Sequence, residues 1–229
     1  MTHLSCIGSW ARVIATTLVM VTAVNCITGC NIAAAFEAVT RPDPVQEAKY
    51  ELQDRPTVVM FDDYYSIVTP VRVRRDIAEE ATVVLMENAD MSDMMSPLDA
   101  IRMASKMDKS VDRAAIHEVG NALGVAQVIY VEPALFSIPA VTGVADPTAA
   151  FRVKVIDVKS GLRVFPSDDE GGASGWPVQV SISRSEASQL AATGPSAIQR
   201  ELATRSGDAI ARLFFDTTYS QHGNRLLGL

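Results

Sequence analysis

Few residues in this chain could do chemistry, and they are scattered. Asp62-Asp63 follow the apolar run Thr57-Val58-Val59-Met60-Phe61, so two carboxylates stand at the end of a strand. Paired carboxylates serve as acid and base in glycoside hydrolysis, and adjacent acids there equally suit a solvated turn. Asp168-Asp169-Glu170 is a second acidic cluster, without the spacing of an EF-hand calcium loop. His117-Glu118-Val119-Gly120-Asn121 is half of a His-Glu-x-x-His zinc pattern. Asn121 stands where the second His would, so two imidazoles on one helix face are missing and the segment reads as a solvated face. Ser174 in Gly172-Ala173-Ser174-Gly175-Trp176 lacks the strand-to-helix setting of a nucleophile elbow. Met91, Met94, Met95, Met103 and Met107 could offer thioethers to soft copper. They read better as a malleable apolar surface. Neither phosphate-loop nor dinucleotide spacing occurs. The expectation is therefore no catalytic residue, no metal site and no cofactor. The aromatic candidates for contact with a partner are Tyr64, Tyr65 and Trp176, each of which could equally belong to the core.

The elements that would hold these residues follow from periodicity. Thr57 to Phe61 suits a strand buried on both faces. Val73, Ile77, Ala81, Val84, Leu85 and Asn88 recur at spacings of three and four, which predicts an amphipathic helix over 71–88. Ser96-Pro97-Leu98-Asp99 is a helix start signal for 97–107. A further helix is expected over 111–123, closed by Gly124 in the left-handed conformation, then a strand over 125–131 that ends before Pro133. Ala150 to Val158 and Leu162 to Phe165 form a hairpin about Lys159-Ser160-Gly161. A final strand covers 178–183, and a long helix covers 198–219. Residues 137–148 and 166–176 are loops. Strands separated by helices run parallel and a hairpin runs antiparallel. The fold class is thus α/β in the α+β sense: a mixed sheet of about five strands packed by three to four helices, in one domain.

The amino terminus reads as an address. Arg12 is the only Lys, Arg, Asp or Glu before Glu37, and Val13 to Val24 is uncharged. That run is too short to span a bilayer and fits a signal-peptide core. Ile27-Thr28-Gly29-Cys30 then resembles the lipobox of bacterial lipoproteins: an aliphatic residue, two small residues and a Cys. The resemblance implies cleavage before Cys30 and lipid on its thiol, with Ile27, Thr28 and Gly29 recognised by the peptidase. All three Cys lie at 6, 26 and 30, so a chain beginning at Cys30 has no disulfide. Lipid supplies membrane affinity of about 0.8 kcal/mol per buried CH₂. Asn31 after the Cys suits the outer membrane by the sorting rule of enteric bacteria. The expected organisation is a signal peptide over 1–29, a lipidated tether over 30–55 (with a short helix near 45–52), the α/β domain over 56–220 and a tail over 221–229.

A second resemblance rests on two segments. His117 to Ile129 resembles the helix, Gly-x-x-Leu-Gly-Ala-Asp and strand of envelope lipoproteins related to the curli-secretion lipoprotein and TolB-type amino-terminal domains, with Gln127 in place of the Asp. Phe151 to Gly161 is similar to the same group's strand and Asp-x-x-Ser-Gly turn. The group includes a secretion channel subunit and activators of peptidoglycan synthases. The resemblance implies a small α/β domain that binds protein partners and no catalytic motif.

Composition is that of an ordinary globular protein. The chain has 229 residues, is 48% hydrophobic and carries a net charge of -7. The acidic balance argues against a nucleic-acid partner. No apolar run is long enough for a spanning helix, which excludes a polytopic membrane protein. The reading is a lipid-anchored, non-enzymatic envelope protein that faces the periplasm and binds another envelope protein. The alternatives are a ring-forming secretion component, in which case the chain is an oligomer, and an envelope hydrolase using Asp62 or Asp63.

Overall fold

The computed structural model describes residues 45–108, 113–140, 145–170, 172–194 and 196–218. Gln46–Thr217 form one compact unit; of the other, only Val45 and Thr218 are described. The lipobox Ile27 to Cys30 lies outside the described residues, and so does Val111.

The fold is the mixed α/β arrangement expected. Strand β1 (Thr57–Phe61) is followed by α1 (Arg72–Asn88), the two-residue strand β2 (Met94–Met95), α2 (Pro97–Met107), α3 (Ile116–Leu123) and β3 (Gln127–Ser137). Then come β4 (Thr148–Asp157), β5 (Arg163–Phe165), β6 (Trp176–Ser181), α4 (Arg184–Thr193) and α5 (Ala197–Ala211). The sheet order is β2-β1-β3-β4, with β5 and β6 both on the outer edge of β4. β1 is parallel to β2 and β3, and the remaining pairs are antiparallel.

Alternation along the strands divides the core into two layers. Val59, Phe61, Ile129, Val131, Val153 and Val155 face α1 and α5, against Ile77, Leu85, Leu202 and Ile210. Val58, Met60, Val128, Tyr130 and Ile156 face α2 and α3, against Ala100 and Val119. The methionines join both layers: Met91 is buried in the first, and Met95, Met103 and Met107 pack against the second. They fill gaps, as flexible unbranched side chains do.

Several boundaries differ from the sequence reading. α3 begins at Ile116, not near 111, because Ala115 is extended with ψ 144°. β3 runs through Pro133 to Ser137. Its parallel partner ends at Phe61 opposite Val131, so Pro133 sits on a free edge beside a bulge, where its missing N–H costs nothing. The last helix ends at Ala211; Leu213 and Phe214 enter the core from the turn after it. α4 was not expected, although Ser183 Oγ accepts from Glu186 N and Ser-x-x-Glu is a helix-start signature. Residues 47–52 form no helix; Lys49 N and Tyr50 N donate to Leu213 O.

Gln127 is fully buried and joins the start of the domain to the sheet. Its amide donates to Gln53 O (2.8 Å) and Thr57 Oγ1 (2.7 Å), and its oxygen accepts from Arg55 Nε. Arg55 also pairs with Asp157 at 2.8 Å. The Ser160 hydroxyl and N–H, and then Arg55, hold the Asp157 carboxyl down at about 2 from an ordinary 3.8. A depressed folded-state pKa stabilises above the unfolded value and is lost as pH falls through the folded one. Wild type is therefore expected to lose stability between about pH 4 and pH 2 through this group. Asp157→Asn should lack that component in thermal melts across the same interval.

Candidate functional site

Asp62, Asp63, Tyr64 and Tyr65 stand at the carboxyl end of β1, where open α/β sheets carry their ligand surfaces. Asp62 N donates to Val131 O, so the residue stays in line with the sheet and points its side chain into the α2/α3 layer. There its carboxylate accepts from Arg113 Nη2 at 2.6 Å and from Tyr130 Oη at 2.5 Å. Burial, then the hydrogen bond to Asp62, raises the Tyr130 hydroxyl far above its ordinary range, so the phenol keeps its proton and donates. The same hydrogen bond raises Arg113. The late start of α3 explains the geometry: extended backbone before Ile116 lets Arg113 reach across to β1. Lys154, opposite Tyr130 on β4, places its ammonium 5.8 Å from the Tyr130 ring.

Asp63 turns the other way. Its side chain is 0% exposed. One oxygen accepts from Ile67 N and the other from Val68 N, both at 2.8 Å. Arg74 Nε closes the network at 2.9 Å and also donates to Val68 O. One buried carboxylate thus holds the whole loop from 63 to 68. The two acids share no partner, and neither is a solvated turn residue.

Between these anchors the loop presents Tyr64 and Tyr65, 68% and 76% exposed. Their rings meet edge to face at 4.9 Å, and the Arg113 guanidinium lies 5.3 Å from the Tyr64 ring. Arg113 therefore connects the buried Asp62 to the exposed aromatic. Trp176 is elsewhere: it pairs with Val153, stacks on Phe165 at 5.6 Å and has the Lys49 ammonium 6.0 Å from its ring. The structure brings the two tyrosines together and packs Trp176 against the α1/α5 layer.

The other candidates stay apart from this site. Glu118 accepts from Ala115 N at the start of α3, and His117 is half-buried beside the Gly161 turn. Asp168 pairs with Arg163, and Glu170 accepts from the Ser167 hydroxyl. Among the described residues no cluster of His, Cys, Asp or Glu could hold a metal ion.

Fold and site together define a class: a small mixed α/β domain with an aromatic loop held rigidly at one end of its sheet. No protein-family model matches the chain, and no curated protein does. Solved structures similar to it include the PelC dodecamer of Paraburkholderia phytofirmans, at 12% identity and TM-score 0.41 over 76% of this chain and 90% of that one. Lipoprotein GNA1162 of Neisseria meningitidis is similar at 12% identity and TM-score 0.34, over 55% of this chain and 76% of that one. The LpoB C-terminal domain of Salmonella enterica is similar at 13% identity and TM-score 0.31, over 59% and 87%. At such identities and TM-scores these likenesses add nothing to what the chain's own strand order shows.

Proposed function

We propose that this chain is a lipid-anchored protein of the bacterial cell envelope, held at the outer membrane through Cys30, that binds another envelope protein through Tyr64 and Tyr65 and performs no reaction itself. The observation that carries the binding role is a pair of exposed tyrosines on a loop whose backbone is fixed by a buried carboxylate. Tyrosine is enriched where proteins meet, because it buries a large rigid surface and keeps a polar tip. A loop held in place beforehand loses little freedom on binding. The engagement of Asp62 by Arg113 and Tyr130, and of Asp63 by its own loop, favours binding over hydrolysis. The anchor rests on Ile27-Thr28-Gly29-Cys30.

Two measurements test this reading. The intact mass of native protein should match a lipidated chain beginning at Cys30, and Cys30→Ala should abolish that species; an unlipidated chain beginning at Met1 would overturn the anchor. A photo-crosslinker at position 67 should capture one envelope protein, and Tyr64→Ser with Tyr65→Ser should remove that product. Melting should change by less than about 0.5 kcal/mol, since both rings are exposed. An unchanged crosslink would remove the tyrosines from the interface.

A further inference from the structure

The α2/α3 side of the sheet is only half covered. Among the described residues, the contacts of α2 and α3 with the sheet stop at Tyr130 on β3 and Ile156 on β4. Phe151, Val153 and Val155 belong to the opposite layer, so Arg152 and Lys154 between them point to this side. Strand register sets Lys154 beside Tyr130, and Arg152 between Glu132 on β3 and Pro177 on β6. Pro177 and Gln179 are exposed on β6. This end of the sheet is therefore an open, polar face that begins where the tyrosine loop leaves β1.

Two cations stand on it without carboxylates. Arg152 makes no hydrogen bond or ion pair among the described residues, and Glu132 opposite it does not close one. Lys154 is held in place by packing alone. Gly175 leaves room for its stem, since a Cβ there would stand 3.0 Å from Lys154 Cγ and Cε, and its ammonium lies 5.8 Å from the Tyr130 ring. The Tyr130 hydroxyl donates to Asp62, Arg113 donates to Asp62, and the Arg113 guanidinium lies 5.3 Å from the Tyr64 ring. A continuous line of contacts thus joins Lys154 to the exposed tyrosines. Arg113 commits Nη2 to Asp62 and adds a third, partly exposed cation. Against the three stand Glu132 and Asp62, the latter already held twice. Positive charge is in excess here, although the whole chain carries -7.

We infer that this open face receives an acidic polypeptide segment of the partner that Tyr64 and Tyr65 engage, with its carboxylates on Arg152 and Lys154. That the segment belongs to the same partner rests on the binding role proposed above; the charge of the segment rests on the face itself. A guanidinium with all its donors uncommitted can take a carboxylate through two parallel N–H···O bonds. The tyrosines supply buried area, while the cations select the sign of the neighbouring segment and speed encounter. A basic segment would meet three like charges.

The test is fluorescence anisotropy of a labelled oligoglutamate peptide titrated with the purified full-length chain in detergent. Oligoglutamate should bind, and oligolysine of the same length should not. Arg152→Glu with Lys154→Glu should weaken binding by about tenfold or more, and raising sodium chloride from about 0.05 M to about 0.5 M should do the same to wild type. Arg152→Lys with Lys154→Arg keeps both charges and should keep most of the binding. If circular dichroism shows the reversed variant unfolded, Arg152→Gln with Lys154→Gln replaces it. Tyr64→Ser with Tyr65→Ser should leave peptide binding within about twofold, since the charges are untouched. The crosslink at position 67 should be lost on the same charge reversal. A crosslink that never forms, beside peptide binding that needs Arg152 and Lys154, removes the tyrosine reading and upholds the acidic-segment face. Oligoglutamate that fails to bind wild type overturns the inference, and so does equal binding by the reversed variant. Binding of short-chain phosphatidylglycerol without binding of oligoglutamate would make this a face for anionic lipid and overturn it too.

Discussion

Asp63→Ala is expected to destabilise the domain by about 3 kcal/mol or more, because it leaves the buried Arg74 contact without its counter-charge. It also leaves the N–H groups of Ile67 and Val68 without acceptors, and an unsatisfied buried donor costs about 1–3 kcal/mol. For a domain of this size that lowers the melting temperature by roughly 10 °C. The variant should also weaken the proposed partner contact although both tyrosines remain, because the side-chain acceptors that fix Ile67 N and Val68 N are gone. Asp63→Asn keeps an oxygen acceptor and loses the charge, so it should fall between Ala and wild type. Thermal melts of the three proteins give the order. An Asp63→Ala melt equal to wild type would show that the loop is held by something other than this carboxylate. Arg113→Ala makes a useful contrast. It frees Tyr64 but leaves Asp62 with Tyr130, and Arg113 is partly exposed, so its effect should fall on binding more than on stability.

Gly207→Val is expected to cost more than about 3 kcal/mol. Gly207 lies in the interior of α5, where glycine is disfavoured by about 1 kcal/mol relative to Ala. It is there because α5 crosses α1 at this point. A Cβ would stand 2.7 Å from Ile77 O and 2.6 Å from Glu80 Cβ. Ile77 O is main chain and cannot rotate away, so the helices would have to separate and loosen the layer that holds Leu202 and Ile210. Gly207→Ala gains helix propensity but meets the same clash. It should be destabilised by about 1–3 kcal/mol, the usual range for overpacking. Denaturant unfolding measures both, and a Gly207→Ala variant more stable than wild type would show that the crossing can yield.

Much of the architecture was legible because burial writes a period into the chain. β1, α1 and α2 were readable from apolar runs and spacings. The site was only half legible. Asp62, Asp63, Tyr64 and Tyr65 stand out as acids and aromatics at a strand end. Arg113 and Tyr130 do not, since one lies in an irregular segment and the other inside an apolar strand. A signal for Tyr130 did exist: it is the one phenol in Gln127 to Val131, on the same face as Asp62 once β1 and β3 pair in parallel. That register places Phe61 opposite Val131, and no sequence period contains it.

The sequence by itself determined the strand and helix material, the order that makes the sheet mixed, and the Ile27 to Cys30 motif on which the anchor reading rests. These are local properties, set by side-chain type and spacing. Tertiary structure decided what each acid does. Asp62 and Asp63 are neighbours in the chain, but successive side chains at a strand end point to opposite sides. One meets Arg113 and Tyr130, 51 and 68 positions further along the chain, and the other meets its own loop and Arg74. Tertiary structure likewise put Trp176 against Phe165 in the α1/α5 layer, and Gly207 against the backbone of α1. Contacts between distant segments depend on strand register and helix crossing, which a sequence read along its length does not specify.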